Sequence, residues 1–364
     1  MGAGQFRPDA AGEVVMNQSF RVATFNAENL LHPGVRFAGR SDAPYGEKLY
    51  EEKIAWMRGI LREGSVDMVG FQELFSEVAL KRAAEGYEHV VALDLEGGKN
   101  IVVAPDGRSE AKGPYVGFAS RFPVVAQRAI DAFPAEAANL QIEATEGGPL
   151  VTLPLTRFQR PVLEVKVLLR SDVTATIYVA HLKSKRSQLL PGEDPKNPLH
   201  VARGNVRSLI VRAAESIALR KLVVEATENN DTPVIVLGDL NDDLPSVTTQ
   251  TVAGEQPFRF WKQPQKVPVW DRLLYSVHDI QEAQSYRDVS YSHIYDGRYE
   301  LLDHIFVSQE FYAQNPKRLG TVVNTRIFND HLVDERLAAV VPQGLSNRSD
   351  HGIPVTEIEW RPAT

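Results

Sequence analysis

The amino-acid sequence predicts one α/β domain built on sheets that are rich in antiparallel strands. Three observations predict this class. Apolar runs of strand length alternate with two longer segments of helical spacing, two of the runs are close enough to form a hairpin, and no repeat or interdomain linker divides the chain. A chain of 364 residues can bury a large core. We expect residues 1–19 to be a flexible tail and residues 20–364 to form the domain.

The first half of the chain contains three predicted strands and one predicted helix. Residues 20–25 form a short apolar strand, and residues 48–62 carry apolar side chains at helical spacing. Residues 66–71 and 115–119 are further apolar runs of strand length. Residues 131–160 are rich in Ala, Glu, Gly and Pro, and we expect them to be an irregular excursion between strands.

The second half begins with a predicted hairpin, continues with a long helix and ends with a strand. The helix is predicted from one apolar stripe, which comprises Val206, Ile210, Ala213, Ile217 and Val224. A polar loop precedes this helix, and residues 245–290 form a loop-rich insert. Buried or alternating apolar side chains predict four strands, at residues 162–169, 174–180, 234–237 and 353–360.

Composition excludes several classes of protein. Lys and Arg total 40 against 47 Asp and Glu, so the net charge is 40 − 47 = −7 and the molecule is not a basic nucleic-acid coat. The sequence has no cysteine, which excludes disulfides, thiolate metal sites and cysteine nucleophiles. Any metal ion must therefore be held by oxygen or imidazole. No apolar run reaches membrane-spanning or signal-peptide length, so we expect a cytoplasmic protein with no membrane span and no obligate protein partner.

Polar residues follow or precede the predicted strands at six points of the chain. The last of them is Asp350-His351, which leads directly into the final strand. The others are Asn26, Gln72-Glu73, His181, Asp239 with Asn241, and Asp303-His304. Polar groups gathered at strand ends are what a metal-assisted hydrolase requires, because such an enzyme needs ligands, a base and phosphate donors in one place.

Each cluster also has a structural interpretation when it is taken alone. Asp239 and Asn241 are suited to polarise a water and hold a phosphoryl oxygen, but Asp and Asn are also common in turns. Glu73 is a candidate Mg²⁺ ligand or an acid that favours a helix N-terminus. His181 is a candidate phosphate donor or a surface histidine. Asp303 could orient His351 as a catalytic imidazole, or the two could lie in unrelated turns.

One segment is basic within this acidic chain. Residues 183–221 hold nine basic and three acidic residues, a local charge of +6. Arg203 and Arg207 are four positions apart, so they share a helix face and could contact substrate phosphates. A solvated helix face is the alternative explanation.

Together and in this order, the six clusters resemble the endonuclease/exonuclease/phosphatase superfamily. This superfamily includes DNase I-like nucleases, apurinic endonucleases, inositol polyphosphate phosphatases and sphingomyelinases. The resemblance covers residues 20–360 and suggests a bacterial nuclease-like member. It implies a four-layer α/β sandwich in which two mixed, largely antiparallel sheets pack face to face with helices outside.

The resemblance also implies roles for individual residues. The implied ligands of Mg²⁺ or Mn²⁺ are Asn26, Glu73 and Asp350. The implied catalytic residues are His181, Asp239, Asn241, Asp303 and His351, with Asp239 acting on the attacking water and Asp303 orienting His351. The implied contacts of the substrate phosphate are Arg121, His181, Lys183 and Asn241. Glu28 lies two residues past Asn26, and its role stays open.

The family alone does not choose a substrate. Inositol phosphatases typically carry an aromatic residue and an Arg after the Gly-Asp-x-Asn motif, whereas Asn241 is followed here by Asp242-Asp243. We therefore expect a phosphodiesterase that acts on DNA, RNA or nucleotides. The alternatives are an enzyme for a small phosphoester or phospholipid headgroup, and a catalytically silent binding protein that retains the fold.

Overall fold

The computed structural model describes residues 18–38, 46–93, 101–104, 107–255, 262–284, 290–334 and 347–362. Most of the predicted tail lies outside these ranges, although Ser19 already belongs to the first strand. The division into a tail and one domain stays a prediction.

The described residues form nineteen strands and six α-helices. The strands are β1 (Ser19–Leu30), β2 (Val35–Phe37), β3 (Met68–Leu74), β4 (His89–Ala92), β5 (Ile101–Val103), β6 (Ser109–Ala111), β7 (Tyr115–Ser120), β8 (Val124–Ala132), β9 (Leu140–Glu143), β10 (Leu150–Leu153), β11 (Arg157–Arg170), β12 (Val173–His181), β13 (Val234–Asp239), β14 (Leu274–Ser276), β15 (His293–Tyr295), β16 (Arg298–Glu300), β17 (Asp303–Ser308), β18 (Gly320–Phe328) and β19 (Ile353–Trp360). The helices are α1 (Glu47–Glu63), α2 (Glu77–Ala83), α3 (Pro198–Thr227), α4 (Val247–Ala253), α5 (Gln263–Trp270) and α6 (Val277–Gln284).

Two six-stranded mixed sheets form the centre of the fold. The first sheet has the order β18-β19-β1-β3-β7-β4, and the second has the order β14-β17-β13-β12-β11-β8. Each sheet contains one central parallel pair, β1 with β3 and β12 with β13, and all of its other pairs are antiparallel. A helix joins each parallel pair, α1 in the first sheet and α3 in the second. The predicted α/β class and mixed sheets are confirmed.

The apolar faces of the two sheets pack against each other. Phe20 and Phe118 of the first sheet share a buried cluster with Ile177 and Ile235 of the second. The approach is close at Gly70, where an added Cβ would lie 3.0 Å from the Cβ of Leu237. Separate apolar clusters join the outer faces of the sheets to helices α1 and α2 on one side and α3 and α4 on the other. The result is the four-layer sandwich that the resemblance implies.

The prediction for the buried face of α3 is wrong. Val206 of the predicted stripe is 54 % exposed, and Ile210, Ala213, Ile217 and Val224 are only partly buried. The face that packs on the second sheet instead uses small and leucine side chains, chiefly Ala214, Ala218, Leu219, Leu222 and Val223. The apolar stripe did not identify the buried face, because that face contains alanines. Alanine lets a helix pack closely on a sheet, but it is too weakly apolar to stand out in the sequence pattern.

The two predicted inserts contain regular structure. Residues 131–160 include a hairpin of β9 and β10 and the beginning of the long strand β11. Residues 245–290 include helices α4, α5 and α6 and the edge strand β14. The expected irregular excursion is therefore corrected, because short alternating runs in both segments pair or pack locally. Across the residues that the structure describes, no helix is long and apolar enough to cross a membrane.

Candidate active site

The strand directions bring the six polar clusters to one edge of the sandwich. Parallel strands β1 and β3 both end there, and so do β12 and β13. Strand β17 is antiparallel to β13 and begins at this edge, with Asp303 opposite Asp239. Strand β19 is antiparallel to β1, so the residues that precede it lie at the same edge. The clusters thus converge because four strands end where two others begin.

Asn26 lies at the centre of the convergence and is completely buried. Its Nδ2 is 3.0 Å from Oδ2 of Asp239, 3.4 Å from Oε1 of Glu73 and 3.5 Å from Nε2 of His351. A carboxylate only accepts hydrogen bonds, so the amide nitrogen must face these acids. The amide oxygen accepts a bond from the backbone N–H of Glu28 at 3.0 Å. Asn26 is therefore a donor in this arrangement, and its role as a metal ligand stays a prediction.

Glu73 is held by the backbone of the first sheet. Its φ is +59°, and Oε2 accepts a bond from the backbone N–H of Asn29 at 3.1 Å. The other oxygen, Oε1, lies 4.0 Å from Nε2 of His181. The carboxylate therefore has one oxygen fixed by the chain and one directed towards the centre of the site.

Asp239 is buried at the end of β13. Burial raises the pKa of its carboxyl to about 7; the carboxylates of Asp303 and Glu73 act in the same direction, and the His351 cation opposes them. Its Oδ1 accepts a bond from the backbone N–H of Asn241 at 2.8 Å. The carboxyl of Asp239 is thus suited to take up a proton near neutral pH.

The glycine before Asp239 is required by its neighbours. A Cβ at Gly238 would lie 2.3 Å from the backbone oxygen of Ala180 on the adjacent parallel strand. Asn241 has a φ of +56°, which turns the chain sharply after the strand. The Gly-Asp-x-Asn motif therefore encodes a close strand approach followed by a turn that supports the carboxylate.

His351 and Asp303 form a buried dyad. Nδ1 of His351 lies 2.7 Å from Oδ2 of Asp303, and the Ser292 hydroxyl donates to the same oxygen at 2.7 Å. Burial alone would lower the pKa of His351, but the carboxylates of Asp303, Asp239 and Asp350 outweigh it and raise that pKa well above its usual range. The dyad thus favours the charged form of the ring, whose Nε2 faces the centre of the site.

His181 has the opposite electrostatic character. Burial, together with the cations of Arg160 and His351, lowers the pKa of its imidazole well below the usual range. Its Nε2 lies 3.5 Å from Oδ2 of Asp239. Arg160, which the sequence did not indicate, donates to the backbone oxygen of Leu182 at 3.0 Å. The pKa values of the two imidazoles are thus shifted in opposite directions.

Arg121 is not brought to the site. It follows Ser120 at the end of β7, which pairs with Met68 at the beginning of β3, whereas Glu73 lies at the other end of that strand. The guanidinium packs over the ring of Tyr87, 5.4 Å from the ring centroid. The prediction failed because β7 runs antiparallel to β3, so its end lies at the opposite edge of the sheet.

Two other predicted phosphate contacts lie near the site but bond to the chain itself. Nζ of Lys183 is within 3.4 Å of the backbone oxygens of Ser184 and Arg186. Nδ2 of Asn241 donates to the backbone oxygen of Leu182 at 3.0 Å. Both side chains therefore shape the loop after β12, in addition to any contact with a substrate.

The basic segment is partly neutralised by acids. Arg207 bonds to Glu193 in the preceding loop, and Arg203 of the same helix face is exposed. Four of the nine basic side chains form ion pairs with carboxylates: Lys185, Arg207, Arg212 and Lys221. His304 also has a structural place, because its Nε2 lies 2.9 Å from the backbone oxygen of Asp242.

Ser292 and His293 also belong to the site, although no motif in the sequence indicated them. A β-bridge joins His293 to His351, and the two ring centroids are 4.9 Å apart. Ser292 precedes the β15–β16 hairpin and His293 begins it. The turn residues of this hairpin, Asp296 and Gly297, have positive φ values. The Asp-Gly dipeptide is a strong hairpin signal that could have located this element.

Two groups of side chains have ligand atoms close enough to hold a metal ion. Asp239, Asp303 and His351 form one group, and His293, Asp350 and His351 form the other, with all ligand atoms of each group within 4.8 Å of one another. The first group is already joined by the bond between His351 and Asp303. Asp350 is 59 % exposed, so its carboxylate is open to an ion from solvent.

A third acidic group lies beside these two. Burial raises the pKa of Glu28 to about 7; Lys53 opposes this shift, while the nearby carboxylates of Asp350 and Glu73 reinforce it. The carboxylates of Glu28, Glu73 and Asp350 are thus near enough to influence one another electrostatically, and Nζ of Lys53 lies 3.6 Å from Oε2 of Glu28. This crowding of hard oxygen ligands fits a divalent cation such as Mg²⁺ or Mn²⁺.

A family model described as the endonuclease/exonuclease/phosphatase family matches residues 23–351. The chain belongs to this family. The matched range includes every polar cluster of the site. The protein is accordingly a hydrolase of phosphoester bonds. A comparison with curated protein sequences found no match.

Solved structures of low sequence identity share the fold. Truncated TDP2 from Caenorhabditis elegans is 12 % identical, with a TM-score of 0.51 over 94 % of this chain and 97 % of that one. An endonuclease/exonuclease/phosphatase from Bacteroides vulgatus is 14 % identical, with a TM-score of 0.50 over 95 % and 100 % of the two chains. A humanised TDP2 from D. rerio is 14 % identical, with a TM-score of 0.50 over 94 % of this chain and 100 % of that one. These likenesses establish the DNase I-like fold and not the substrate.

Proposed function

We propose that this family member is a divalent-metal-dependent phosphodiesterase that hydrolyses nucleic acid or nucleotide phosphodiester bonds. The observation that carries the proposal is the convergence on Asn26 of one acid from each sheet and the imidazole of His351, all within 3.5 Å of its amide nitrogen. A catalytically silent binding protein has no need for this buried and strained arrangement.

Glu73 and Asp350 would hold the ion, with Glu28 beside them. The carboxylate oxygens suit Mg²⁺ or Mn²⁺, and magnesium typically uses only one or two protein carboxylates. When bound, the ion would act as a Lewis acid on a phosphoryl oxygen and would favour ionisation of a nearby water. Asn26 would support the site by donating to the acids.

The remaining residues would supply proton transfer and charge stabilisation. Asp239, whose pKa is raised to about 7, would accept the proton of the attacking water. His351 would donate from Nε2 to the charge that develops on the phosphoryl group, while Asp303 holds its other nitrogen. His181 would donate to a second oxygen as a neutral imidazole.

The β15–β16 hairpin supports a nucleotide rather than a simple sugar phosphate. His293 and Tyr295 lie on one face of the hairpin, with ring centroids 6.5 Å apart and nearly parallel rings. The ring of His293 also lies 4.9 Å from the ring of His351, measured between centroids, so it contacts both the hairpin residue and the site residue. Tyr295 is 69 % exposed and is paired across the hairpin with Arg298. An exposed ring beside a guanidinium suits a base and its neighbouring phosphate.

A metal-supplemented substrate panel tests the proposal. It should compare DNA, RNA, cyclic dinucleotides, phospholipids and sugar phosphates with Mg²⁺ or Mn²⁺ present and with chelator. We expect metal-dependent cleavage of nucleic acid or nucleotide diesters, weakening steeply with salt for a polymeric substrate. Salt-insensitive turnover of a small phosphoester alone would favour the alternative substrate class.

Two variants and two controls complete this test. Asp239→Ala and His351→Ala should each reduce hydrolysis by orders of magnitude while circular dichroism stays unchanged. Glu359→Ala and His200→Ala are the matched controls, because these residues lie outside the site on β19 and α3. Rates similar to the wild type in both site variants would refute the proposed mechanism.

A further inference from the structure

Lys53 is a fully buried lysine that lies beneath the candidate cation site. It belongs to α1, its side chain is 0 % exposed, and its Nζ donates to the backbone oxygen of Glu28 at 2.8 Å. The same nitrogen lies 3.6 Å from Oε2 of Glu28. Lysine is almost never fully buried without a partner, so its place needs a specific explanation.

The segment that Lys53 contacts has an unfavourable backbone conformation. Glu28 has a φ of +45° and Asn29 has a φ of +56°, both in the left-handed region. Asparagine adopts this conformation readily, but a glutamate adopts it only where the surrounding structure holds it. Three bonds hold this turn: Lys53 to the Glu28 oxygen, the Glu28 N–H to Asn26, and the Asn29 N–H to Glu73.

These bonds form a continuous path from α1 to the acid of the site. Lys53 fixes the carbonyl of Glu28, the turn directs the next N–H inward, and this N–H holds Oε2 of Glu73 at 3.1 Å. The other oxygen of Glu73 is thereby left to face the site. A residue that orients a metal ligand through another group typically changes affinity without touching the metal.

We propose that Lys53 is a positioning residue that pre-forms the cation site by holding the Glu28–Asn29 turn against Glu73. The inference rests on the proposed metal-dependent function. Lys53 also places a basic group beside the carboxylates of Glu28, Glu73 and Asp350.

The two effects of Lys53 on metal affinity have opposite signs, and this makes the proposal testable. Removal of a nearby positive charge would by itself tighten binding of a cation, since like charges repel. Loss of the turn would release Glu73 and weaken binding. Positioning therefore predicts weaker binding in Lys53→Met, whereas a purely electrostatic role predicts tighter binding.

The experiment compares Lys53→Met with Lys48→Met in the full chain. Lys48 is on the same helix but is 91 % exposed, so its variant controls for loss of a lysine from α1. Mn²⁺ binding is followed by electron paramagnetic resonance of the free ion. Amide hydrogen exchange of residues 27–30 is measured without metal, with residues 174–180 of β12 as the internal reference.

We expect Lys53→Met to weaken Mn²⁺ binding by about tenfold or more, and to accelerate exchange at residues 27–30 without change in β12. Lys48→Met should match the wild type in both measurements. Unchanged or tighter binding with unchanged exchange would overturn the inference. Absence of Mn²⁺ binding by the wild type would refute the proposed metal dependence instead, while the exchange measurement would still decide the role of Lys53.

A second pair of variants covers the case in which Lys53→Met does not fold, since it leaves the buried Glu28 carboxylate without its cation. Glu28→Gln alone is compared with Glu28→Gln combined with Lys53→Met, which removes both charges. The difference in exchange between the single and the double variant reports on the bond from Lys53 to the Glu28 backbone oxygen. Faster exchange at residues 27–30 in the double variant supports the proposal, and equal exchange contradicts it.

Discussion

Nδ1 of His351 lies 2.7 Å from Oδ2 of Asp303, and this bond joins the two sheets of the sandwich. Asp303 is the first residue of β17 in the second sheet, whereas His351 precedes β19 in the first. Asn26 and Asp239 form a second bond between the sheets, at 3.0 Å. The candidate active site is therefore assembled from two halves that the chain builds separately.

Asp303→Asn should reduce kcat by roughly two to four orders of magnitude, the range found when a residue that supports proton transfer is lost. The amide removes the charge that keeps the pKa of His351 high, so the imidazolium should lose its proton at a lower pH. The pH profile of kcat and the NMR titration of the His351 ring would check this. An unchanged His351 titration in the variant would contradict the dyad.

Arg121→Ala should leave kcat and KM close to the wild-type values, because Arg121 lies at the opposite edge of the first sheet. Its only expected effect is a loss of stability of roughly 1 kcal/mol or less, from the contact with Tyr87. Steady-state kinetics and a denaturant melt measure the two quantities. A large rise in KM would restore the role that the sequence suggested for Arg121.

Arg298→Ala should weaken binding of a nucleic-acid substrate and should reduce the slope of log K against log salt by about one. Arg298 is exposed and is paired across the hairpin with Tyr295, so its guanidinium can reach a phosphate beside a bound base. Fluorescence titration at several salt concentrations would measure this slope. Arg203→Ala is the control, since Arg203 is exposed on α3. Equal slopes for both variants and the wild type would argue against the hairpin as a substrate contact.

Glu310 should make the protein less stable as pH rises from about 4.5 to about 7. Burial raises the pKa of its carboxyl from 4.5 in the unfolded chain to about 7, opposed by the hydroxyl of Ser308. Between these values only the unfolded state releases the proton, which favours unfolding. Glu310→Gln should therefore stabilise the protein more at pH 8 than at pH 5, by up to about 3 kcal/mol. Denaturant melts at the two pH values test this, and an equal effect at both would contradict it.

Gly238→Ala should prevent correct folding of the second sheet or reduce stability by several kcal/mol. The added Cβ would lie 2.3 Å from a backbone oxygen, and a backbone atom in a central parallel pair has no room to move. Thermal melts would measure the loss. Gly59→Ala on α1 is the control, because no atom lies within 4 Å of its added Cβ. Wild-type stability in Gly238→Ala would show that the strands can separate.

The sequence predicted the clusters well because buried parallel strands are short apolar runs, and polar residues that follow them are easy to recognise. Asp239 is recognisable in this way, whereas His351 is recognisable because it leads directly into the apolar strand β19. The location of Arg121 could not be predicted, because the residues of a strand do not determine whether it pairs parallel or antiparallel to its neighbour. Lys53 could not be found either, because its position at 0 % exposure depends on packing of α1 against a turn distant in the chain.

Because the site is divided between two sheets, Gly70 affects the site through the distance between those sheets. Its lack of a side chain lets the sheets approach, with Leu237 of β13 only 3.0 Å from where a Cβ would lie. The distance between the acid of one sheet and the imidazole of the other thus depends on interior packing at positions that precede Glu73 and Asp239 on their strands. The rate of turnover therefore depends on the distance between the two sheets. Selection for catalysis thus acts on residues of the core as well as on the polar residues at the edge.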